Sequence, residues 1–308
     1  MTIDELNETV ASGGIDEFIR VCEARQVKAL SKVADSICAG GGRRLVLLAG
    51  ASSAGKTTTA KRLCTQIRVN GFEAVHMSTD DYFVGDSRNP RDENGDFDYE
   101  TIECVDVRRL ASDINRLLAG ETIHPRRFNF VVHEGFDSEE PMKVSPGGYL
   151  VLEGIHALNP LLSDGIDEGS KCRLFIEPKT QPEVFGRTRL PMTDARLLRR
   201  IVRDNQFRHF GPDATLKMWP KVLAGEEKWI NPFRSRADYE FDSSLAYELA
   251  VLKPFVLGLL YRYSRCVPGN VKVEQLMALL SVVRETDPTK VPGDSILRET
   301  IGGSQLEY

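Results

Sequence analysis

The sequence predicts an α/β fold in which a mostly parallel sheet carries helices on both faces. Short apolar runs of strand character alternate with longer segments that place apolar residues at helical spacing, and such alternation is typical of parallel sheets. The predicted strands are "RLVLLA" (44–49), "EAVHMS" (73–78), "YLVLEG" (149–154), "CRLFIE" (172–177) and "DYEF" (238–241). The predicted helices lie near 56–68, 104–118, 194–207, 214–224 and 244–262. Ligands of such sheets bind at the carboxyl ends of the strands.

Helical segments are expected before and after this sheet. Apolar residues recur at helical spacing through 15–38 and predict one long helix, which "AGGGRR" ends before the first strand. We therefore expect an N-terminal helical segment at 1–42, a sheet domain at 43–264, and a C-terminal helical extension at 265–308 that packs on it. The polar stretch "VGDSRNPRDENGDFDYE" (84–100) predicts a long loop, and such loops are commonly functional.

Composition and charge exclude several classes of protein. Apolar residues make up 41% and charged residues 28% of the 308 positions, as in ordinary globular enzymes. A net charge of −5 argues against a general binder of nucleic acid or of acidic membranes. The six cysteines are scattered without a C-x-x-C pair, and the N-terminus "MTIDELNETV" is acidic. No apolar run approaches the ~20 residues of a membrane span. We expect a cytoplasmic protein that binds neither nucleic acid nor membrane.

The stretch "GASSAGKTTTA" (50–60) fits the phosphate-binding loop pattern, between a predicted strand and a predicted helix. Gly50 and Gly55 let the backbone curl so that N–H groups point at phosphate oxygens, and the helix N-terminus adds positive potential. Lys56 would reach the β- and γ-phosphates, and the Thr57 hydroxyl would hold Mg²⁺. We therefore predict a fold of the P-loop NTPase type that uses ATP and Mg²⁺. The expected nucleotide contacts are Gly50, Ser52, Ser53, Ala54, Gly55, Lys56, Thr57 and Thr58.

Carboxylates follow two further predicted strands. In "EAVHMSTDDYF" (73–83), Asp80 lies at an extended strand end near the loop, with Asp81 pointing to the other side. There Asp80 would take a proton from an attacking hydroxyl. In "YLVLEGIH" (149–156), Glu153 ends another buried strand and would hold Mg²⁺ or assist the base. The sequence has no guanine-reading N-K-x-D motif, which argues against a GTPase switch and favours a kinase.

A basic stripe marks one predicted helix. In "DARLLRRIVRD" (194–204), arginines at i, i+3, i+4 and i+7 share one helix face, opposite an apolar face. Such a stripe is either a solvated face or a lid that closes over the transferring phosphate and neutralises its charge. Beside a phosphate-binding loop we expect the lid, with Arg196 and Arg199 acting in catalysis and Arg200 binding the nucleotide. Asp194 and Asp204 are available to pair with some of these arginines.

Together these motifs resemble the uridine kinase and phosphoribulokinase family of P-loop kinases, in particular its bacterial uridine-kinase-like nucleoside kinases. The resemblance runs from about residue 45 to the C-terminus. Its motifs are "GASSAGKTT", "STDDYF", "YLVLEGIHALNP", "TDARLLRRIVRD", "MWPKVLAGEEKWINPF" and "DSILRETIGGS". The last two are particularly specific to the bacterial branch.

The resemblance implies an ATP- and Mg²⁺-dependent nucleoside 5′-kinase. Asp80 would be the general base for the 5′-hydroxyl, Glu153 the second acid near the metal, and Asp98 of "DFDYE" the partner of the ribose hydroxyls. The further substrate contacts that it implies are Tyr82, Phe128, Phe130, His133 and Arg196. The expected partners are a small-molecule nucleoside and further copies of the chain in a homo-oligomer.

Two departures from the family pattern affect these expectations. Phe128 stands where uridine kinases often have tyrosine, which puts the preferred base in doubt. The lid usually ends R-G-R, whereas this chain reads Arg208-His209-Phe210, so an arginine and a flexible glycine are missing.

Two other functions stay open. A sugar phosphate or another small alcohol could replace the nucleoside, as in phosphoribulokinase or pantothenate kinase. A sugar phosphate would need basic residues in the acceptor loops, and the sequence offers Arg88, Arg91, Arg126 and Arg127. A non-catalytic nucleotide-dependent binding module is the other alternative, but the presence of both Asp80 and Glu153 argues against it.

Overall fold

The computed structural model describes residues 1–93, 95–130, 132–184 and 188–307. Its strands are β1 (Leu45–Gly50), β2 (Ala74–Ser78), β3 (Arg126–Asn129), β4 (Glu134–Asp137), β5 (Tyr149–Glu153), β6 (Lys171–Glu177), β7 (Glu183–Val184), β8 (Thr188–Arg189) and β9 (Tyr239–Asp242). Its helices are α1 (Ile3–Ala11), α2 (Ile15–Ala39), α3 (Lys56–Val69), α4 (Val107–Leu118), α5 (Met192–Phe207), α6 (Pro212–Trp229), α7 (Glu248–Cys266), α8 (Val271–Val282) and α9 (Arg298–Ile301).

A parallel five-stranded sheet runs in the order β2-β5-β1-β6-β9. These are the strands that the apolar runs predicted, so the expected α/β fold is confirmed. β1 pairs with both neighbours, with Leu47 opposite Leu152 of β5 and Arg173 of β6. Because β5 lies between β1 and β2, the carboxyl ends of these three strands stand side by side.

Helices cover both faces of the sheet, which explains the unbroken apolar character of β1 and β5. Every residue of these two strands is buried. On one face Leu47 packs in a core with Leu110 of α4. On the other face Val46 packs in a core with Ile37 of α2 and Leu63 of α3. Successive residues of β1 therefore belong to two different cores, as the alternation of side chains along a strand requires.

A third core joins the two ends of the chain. It takes side chains from α1, α2, α5, α7 and α8, among them Leu6, Ile19, Leu198, Leu249 and Leu276. The C-terminal extension is less helical than predicted, because residues 283–297 hold no helix longer than the turn Pro288–Lys290. In addition, α7 runs to Cys266, across the predicted domain boundary. None of the helices in the described residues is long and apolar enough to cross a membrane.

A buried polar cluster links α2 to α3, α7 and the C-terminal segment. Tyr247 Oη donates to Glu23 Oε1 at 2.5 Å, and Ser295 Oγ lies 3.4 Å from the same hydroxyl. Arg62 Nη1 lies 3.6 Å from the other carboxylate oxygen of Glu23 and donates to Gln26 Oε1 at 3.3 Å. All five side chains are buried. Buried polar groups are costly when unpaired, so the cluster fixes how these four segments meet.

Removing the Tyr247 hydroxyl tests this cluster. Tyr247→Phe leaves Glu23 Oε1 without its donor inside the protein, so we expect the free energy of unfolding to fall by about 1–3 kcal/mol. Urea unfolding followed by circular dichroism measures the change. Tyr261→Phe, at a half-exposed tyrosine, is the matched control and should leave the unfolding midpoint in place. Equal midpoints for the two variants would show that the cluster does not hold these segments together.

Candidate active site

The loop between β1 and α3 folds as a phosphate cradle. Ser53 and Gly55 take left-handed backbone conformations, with φ of 59° and 88°. A Cβ at Gly50 would lie 2.4 Å from the carbonyl oxygen of Ile176, and a Cβ at Gly55 would lie 2.4 Å from Ile296. Close packing therefore requires both glycines, and backbone shape requires Gly55 as well. The loop leads into the N-terminus of α3, where unpaired N–H groups favour anions.

Three other predicted nucleotide contacts are partly engaged within the protein. Ser52 Oγ accepts from Arg200 at 2.8 Å, and Thr58 Oγ1 donates to Glu299 Oε2 at 2.9 Å. Ala54 N–H donates to a carbonyl within the loop at 3.1 Å. Ala54 therefore shapes the loop, and its N–H is not free for phosphate. Phosphate contacts from Ser52 and Thr58 would come from their backbone.

Lys56 and Thr57 begin α3 and face the end of β5. Lys56 Nζ lies 3.4 Å from the carbonyl oxygen of Ala51, so the ammonium folds back over the loop. Thr57 Oγ1 donates to Glu153 Oε1 at 3.1 Å. A hydroxyl and a carboxylate are the hard oxygen ligands that Mg²⁺ prefers, and Mg²⁺ commonly uses one or two carboxylates together with substrate phosphates. The structure thus brings the predicted metal ligands together, and their chemistry fits Mg²⁺.

Glu153 holds its proton more tightly than an ordinary glutamate. Burial, and then the charge of Asp80, raise the pKa of Glu153 to about 7, while Lys56 acts in the opposite direction. His76 Nε2 lies 3.9 Å from Glu153 Oε1, but burial lowers the pKa of His76 to about 3. The imidazole is therefore neutral near pH 7 and does not offset the carboxylate charge. A bound cation would offset it.

Asp80 lies near Glu153 because the ends of β2 and β5 pack closely. A Cβ on Gly154 would lie 1.8 Å from Thr79 Oγ1, so only glycine lets the segment after β2 approach so near. Thr79 Oγ1 in turn donates to Asp80 Oδ1 at 3.3 Å. This contact orients one carboxylate oxygen of the predicted base.

The two neighbouring aspartates face different partners, although not for the predicted reason. The sequence predicted an extended strand end, whereas Thr79–Tyr82 form a 3₁₀ turn that Ser78 caps by accepting from the Asp80 N–H. Asp81 accepts from Arg127 Nη1 at 2.7 Å. The charge of Asp80, in contrast, contributes to the raised pKa of Glu153. The turn therefore pairs Asp81 with Arg127 and keeps Asp80 available on the side of the phosphate-binding loop.

Tyr82 is not brought to the site as a substrate contact. Its side chain is fully buried, and its hydroxyl donates to Asp113 Oδ2 of α4 at 2.9 Å. Burial and this carboxylate raise the pKa of Tyr82. The ring supports the 3₁₀ turn from inside the core, so the structure contradicts the predicted substrate contact.

Arg199 is buried and does not belong to an open lid. Its Nε donates to Glu248 Oε2 at 2.7 Å, and its Nη2 donates to the Ser243 carbonyl at 3.1 Å. Its Nη1 donates to the Ser53 carbonyl of the phosphate-binding loop at 3.4 Å. These contacts hold Arg199 against the loop inside the protein, and its predicted catalytic role stays a prediction.

Arg196 and Arg200 brace the same loop at Ser52. Arg196 donates to the Ser52 carbonyl at 3.3 Å and pairs with Glu226 at 2.7 Å. Arg200 donates to Ser52 Oγ at 2.8 Å and pairs with Asp204 at 3.2 Å. Both guanidinium groups are buried. The structure thus gives both arginines partners within the protein, while the predicted substrate and catalytic role of Arg196 and the nucleotide contact of Arg200 stay predictions.

Arg208, at the end of α5, lies within electrostatic range of Asp80. Its side chain is 45% exposed, and its contact with Asp204 is 3.6 Å long. Burial and the Arg203 charge lower the pKa of Arg208 to about 10, while Asp80 and Asp204 act in the opposite direction. The next residue, His209, has φ of 57°, in the left-handed region that favours glycine. The chain thus keeps, at His209, a backbone shape for which glycine is the unstrained residue.

Of the two aromatic residues that were predicted to contact the base of the substrate, Phe128 is buried and Phe130 is exposed. Phe128 is 8% exposed and packs edge-to-face on Phe83, with ring centroids 5.5 Å apart. Phe130 is 55% exposed, with its centroid 5.1 Å from that of Phe128. Phe130 therefore offers an open ring face, whereas Phe128 belongs to the core and does not fit the predicted stacking role.

His133 and Asp98 are held by residues that the sequence did not single out. His133 Nδ1 lies 3.0 Å from Asp86 Oδ1 and 3.1 Å from Tyr99 Oη. Asp98 Oδ1 accepts from the Glu100 N–H at 3.0 Å. These contacts join the loop 84–100 to the β3-β4 hairpin.

Glu100 and His156 are two site residues that sequence reasoning missed. Burial raises the pKa of Glu100 to about 7, and the charges of Asp98 and Asp80 add to this effect. His156 is buried, and burial lowers the pKa of its ring to about 4, while the charge of Asp80 and a backbone hydrogen bond with Thr101 act in the opposite direction. The available signals were positional, because Glu100 lies two residues after Asp98 and His156 three residues after Glu153.

Two arginine substitutions separate loop bracing from catalysis. Arg199→Ala leaves the buried Glu248 carboxylate unpaired, so we expect a loss of about 3–5 kcal/mol of folding free energy. Arg208→Ala removes a half-exposed cation near Asp80, so we expect kcat to fall by about 10²–10³ with little change in stability. Thermal unfolding and ADP release measure the two effects, with Arg262→Ala, at an exposed arginine, as control. A stable Arg199→Ala protein with low kcat would return Arg199 to the catalytic group.

The central part of the chain is similar in sequence to known proteins. Residues 45–168 match the model of the phosphoribulokinase / uridine kinase family. The uridine kinase of Deinococcus deserti is 26% identical over 192 residues, which cover 62% of this chain and 83% of that protein. The uridine kinase of Ligilactobacillus salivarius is 27% identical over 196 residues, which cover 63% of this chain and 82% of that protein.

A solved structure agrees with the fold. It is named as a fructose transport system kinase of Silicibacter sp. TM1040, with a TM-score of 0.50 and 18% identity, and the match covers 68% of this chain and 98% of that chain. This likeness concerns the fold alone. The residues that match the family model contain the phosphate cradle, Asp80 and Glu153. Residues 45–168 are therefore similar to the phosphoribulokinase and uridine kinase family.

Proposed function

We propose that this kinase transfers the γ-phosphate of ATP to the 5′-hydroxyl of a pyrimidine ribonucleoside such as uridine or cytidine. The convergence of Lys56, Thr57, Asp80 and Glu153 at three neighbouring strand ends carries the proposal. Such a group supplies a phosphate cradle, metal ligands and a base within one site. The relatives named uridine kinase support the choice of a nucleoside as acceptor.

On the donor side, backbone N–H groups of the loop bind the β- and γ-phosphates, and Lys56 turns from the Ala51 carbonyl toward them. Thr57 and Glu153 hold Mg²⁺, which neutralises phosphate oxygens when bound. Because burial raises the pKa of Glu153, part of this carboxylate is protonated near neutral pH, and a metal ion would displace that proton on binding.

On the acceptor side, Asp80 accepts the proton of the attacking hydroxyl while the new O–P bond forms, the bond between the γ-phosphorus and the bridging β-phosphate oxygen breaks, and ADP leaves. The hydrogen bond from Thr79 Oγ1 to Asp80 Oδ1 holds this carboxylate in one orientation. Arg208 stabilises the charge of the transferring phosphoryl group from the end of α5. The division of roles follows from exposure, because the other arginines described on that helix face brace the protein itself.

The arginines of the acceptor loops favour an acceptor without a phosphate group. Each of the four that a sugar phosphate would need already has a partner: Arg88 contacts Asp106, Arg91 the Phe97 ring, Arg126 the Gly135 carbonyl, and Arg127 Asp81. Binding a second phosphate would require breaking these contacts, while a nucleoside needs none of them. Asp98 and Asp80 both add to the raised pKa of Glu100, so acidic as well as basic groups surround the predicted base.

Ribose and base recognition follow from three side chains. Asp98 accepts from the ribose hydroxyls, and the open face of Phe130 stacks on the base. If His133 donates from Nδ1 to Asp86, its Nε2 can accept from an N–H of the base edge. We also propose a cytoplasmic location, because all six cysteines are free thiols, as a reducing compartment would keep them.

The neighbouring aspartates test the base. Asp80→Asn should lower kcat by about 10² or more, in the range of general-base contributions, because the amide cannot take the proton. Asp81→Asn is the matched control, and its effect on kcat should be less than about tenfold, since Asp81 is bound to Arg127. ADP release at saturating uridine and ATP measures both. A larger loss in Asp81→Asn would reverse the assignment.

A panel of acceptors tests the function itself. With wild-type protein we expect turnover of uridine and cytidine above that of adenosine, and kcat/KM about 5- to 150-fold lower for 2′-deoxyuridine, because one Asp98 oxygen loses its partner. Asp98→Ala should abolish this discrimination, and Asp164→Ala, at an exposed aspartate, should keep it.

Two outcomes of the panel would contradict the proposal. Turnover of ribulose 5-phosphate without turnover of nucleosides would assign the chain to a sugar-phosphate kinase. Equal use of uridine and 2′-deoxyuridine by the wild type would remove the ribose role of Asp98.

A further inference from the structure

The motif "DSILRETIGGS" (294–304) has no part in the function proposed above, yet it lies against the phosphate-binding loop. Ile296 is buried, and its Cγ2 would lie 2.4 Å from a Cβ at Gly55. Glu299 Oε2 accepts from Thr58 Oγ1 at 2.9 Å, although the two residues are 241 positions apart in the chain. The segment therefore contacts both the loop and the first turn of α3.

This C-terminal segment is held in a defined shape by its own side chains. The Arg298 guanidinium donates to the carbonyl oxygens of Pro292 at 3.3 Å and Gly302 at 3.2 Å, which lie on either side of it in the chain. Leu297 is fully buried in the core that the segment shares with α5. Because the backbone around Glu299 is fixed in this way, its carboxylate is presented to α3 from a firm support.

Thr58 connects this support to the groups that are expected to bind ATP. Its side chain is fully buried, and its hydroxyl donates to Glu299, so the hydroxyl is directed into the protein. Its backbone N–H lies in the first turn of α3, where the N–H groups of a helix bind anions. The preceding residue, Thr57, donates to Glu153 Oε1 at 3.1 Å. Anchoring the Thr58 side chain therefore limits the movement of the turn that carries both groups.

We propose that Glu299 is a positioning residue for ATP, which acts through Thr58 to hold the first turn of α3 in the conformation that binds phosphate. The inference rests on the donor half of the proposed function, because it requires that ATP bind at this loop. Glu299 itself touches no phosphate and takes no part in the transfer. A binding group that is ordered before the ligand arrives does not have to be ordered on binding, so the effect is one on ATP affinity.

A purely structural role for Glu299 makes a different prediction. If the contact only stabilised the fold, Glu299→Ala would lower the melting temperature, but the molecules that stay folded would bind ATP with the wild-type Kd. Under our proposal the Kd for ATP rises in the folded protein. The KM for the acceptor stays unchanged, because the contact lies on the donor side of the site.

The test measures binding directly, without turnover. Isothermal titration calorimetry with a non-hydrolysable ATP analogue and Mg²⁺, well below each melting temperature, compares wild type, Glu299→Ala, Glu299→Gln, Thr58→Val and the variant with both Glu299→Ala and Thr58→Val. We expect the Kd of Glu299→Ala to rise about tenfold, as is common for residues that orient a binding group. Glu299→Gln should recover most of the affinity, since its amide oxygen can accept from Thr58. The double variant should bind no more weakly than the weaker single variant, because both changes break one hydrogen bond.

The control and the contrary outcomes are distinct. Glu285→Ala, at an exposed glutamate of the same C-terminal extension, should keep the wild-type Kd. An unchanged Kd in Glu299→Ala, or additive effects of Glu299→Ala and Thr58→Val, would overturn the positioning role while the kinase stands. If the wild type does not bind the ATP analogue, the donor half of the proposed function fails, and the inference fails with it. A failure to phosphorylate nucleosides leaves the inference in place, because the titration contains no acceptor.

Discussion

Burial of the Glu153 carboxylate at the end of β5, beside the end of β2, governs the site. The pKa of Glu153 rises from 4.5 to about 7 through burial and the charge of Asp80. An acid whose pKa is raised by folding destabilises the native state above its folded pKa and has no such effect below its unfolded pKa. A bound cation reverses this balance, because it pairs with the ionised form. The fold therefore gives up stability at neutral pH in a way that favours binding of metal and phosphate together.

The strand ends can be predicted from the sequence because they follow from periodicity and topology. Apolar runs locate β1, β2 and β5, and parallel strands bring their carboxyl ends together, so the pattern of the chain alone places Asp80 and Glu153 at one edge of the sheet. The local conformation cannot be predicted in the same way. The 3₁₀ turn at Thr79–Tyr82 depends on a side-chain cap from Ser78 and on the tight approach of Gly154, and neither is a pattern in the chain.

The arginine face of α5 shows why spacing does not establish a role. The interval i, i+3, i+4, i+7 correctly places the arginines on one face, but it does not say what that face meets. Glu226 and Glu248, which pair with Arg196 and Arg199, come from other helices. Arg196 and Arg199 also donate to carbonyl oxygens of the phosphate-binding loop, so they help to orient it. Arg208, which follows the last turn of α5, is more exposed. Phe128 and Phe130 show the same limit, since residues two apart share one face of a strand, but β3 ends at Asn129 and only Phe128 is buried.

The contacts that hold the phosphate-binding loop are more buried than those that hold the loop 84–100 and the β3-β4 hairpin. This difference affects how easily substrate choice can change. The phosphate-binding loop is fixed by buried arginines whose partners have no solvent to replace them. The acceptor half is tied by contacts of half-exposed residues, with Asp86 and Tyr99 holding the left-handed backbone of His133. Water competes for these contacts, so they can be exchanged at smaller cost than the buried pairs. Changes of acceptor specificity therefore need only alter the loop 84–100 and the hairpin, while the phosphate chemistry at Lys56, Thr57 and Glu153 stays as it is.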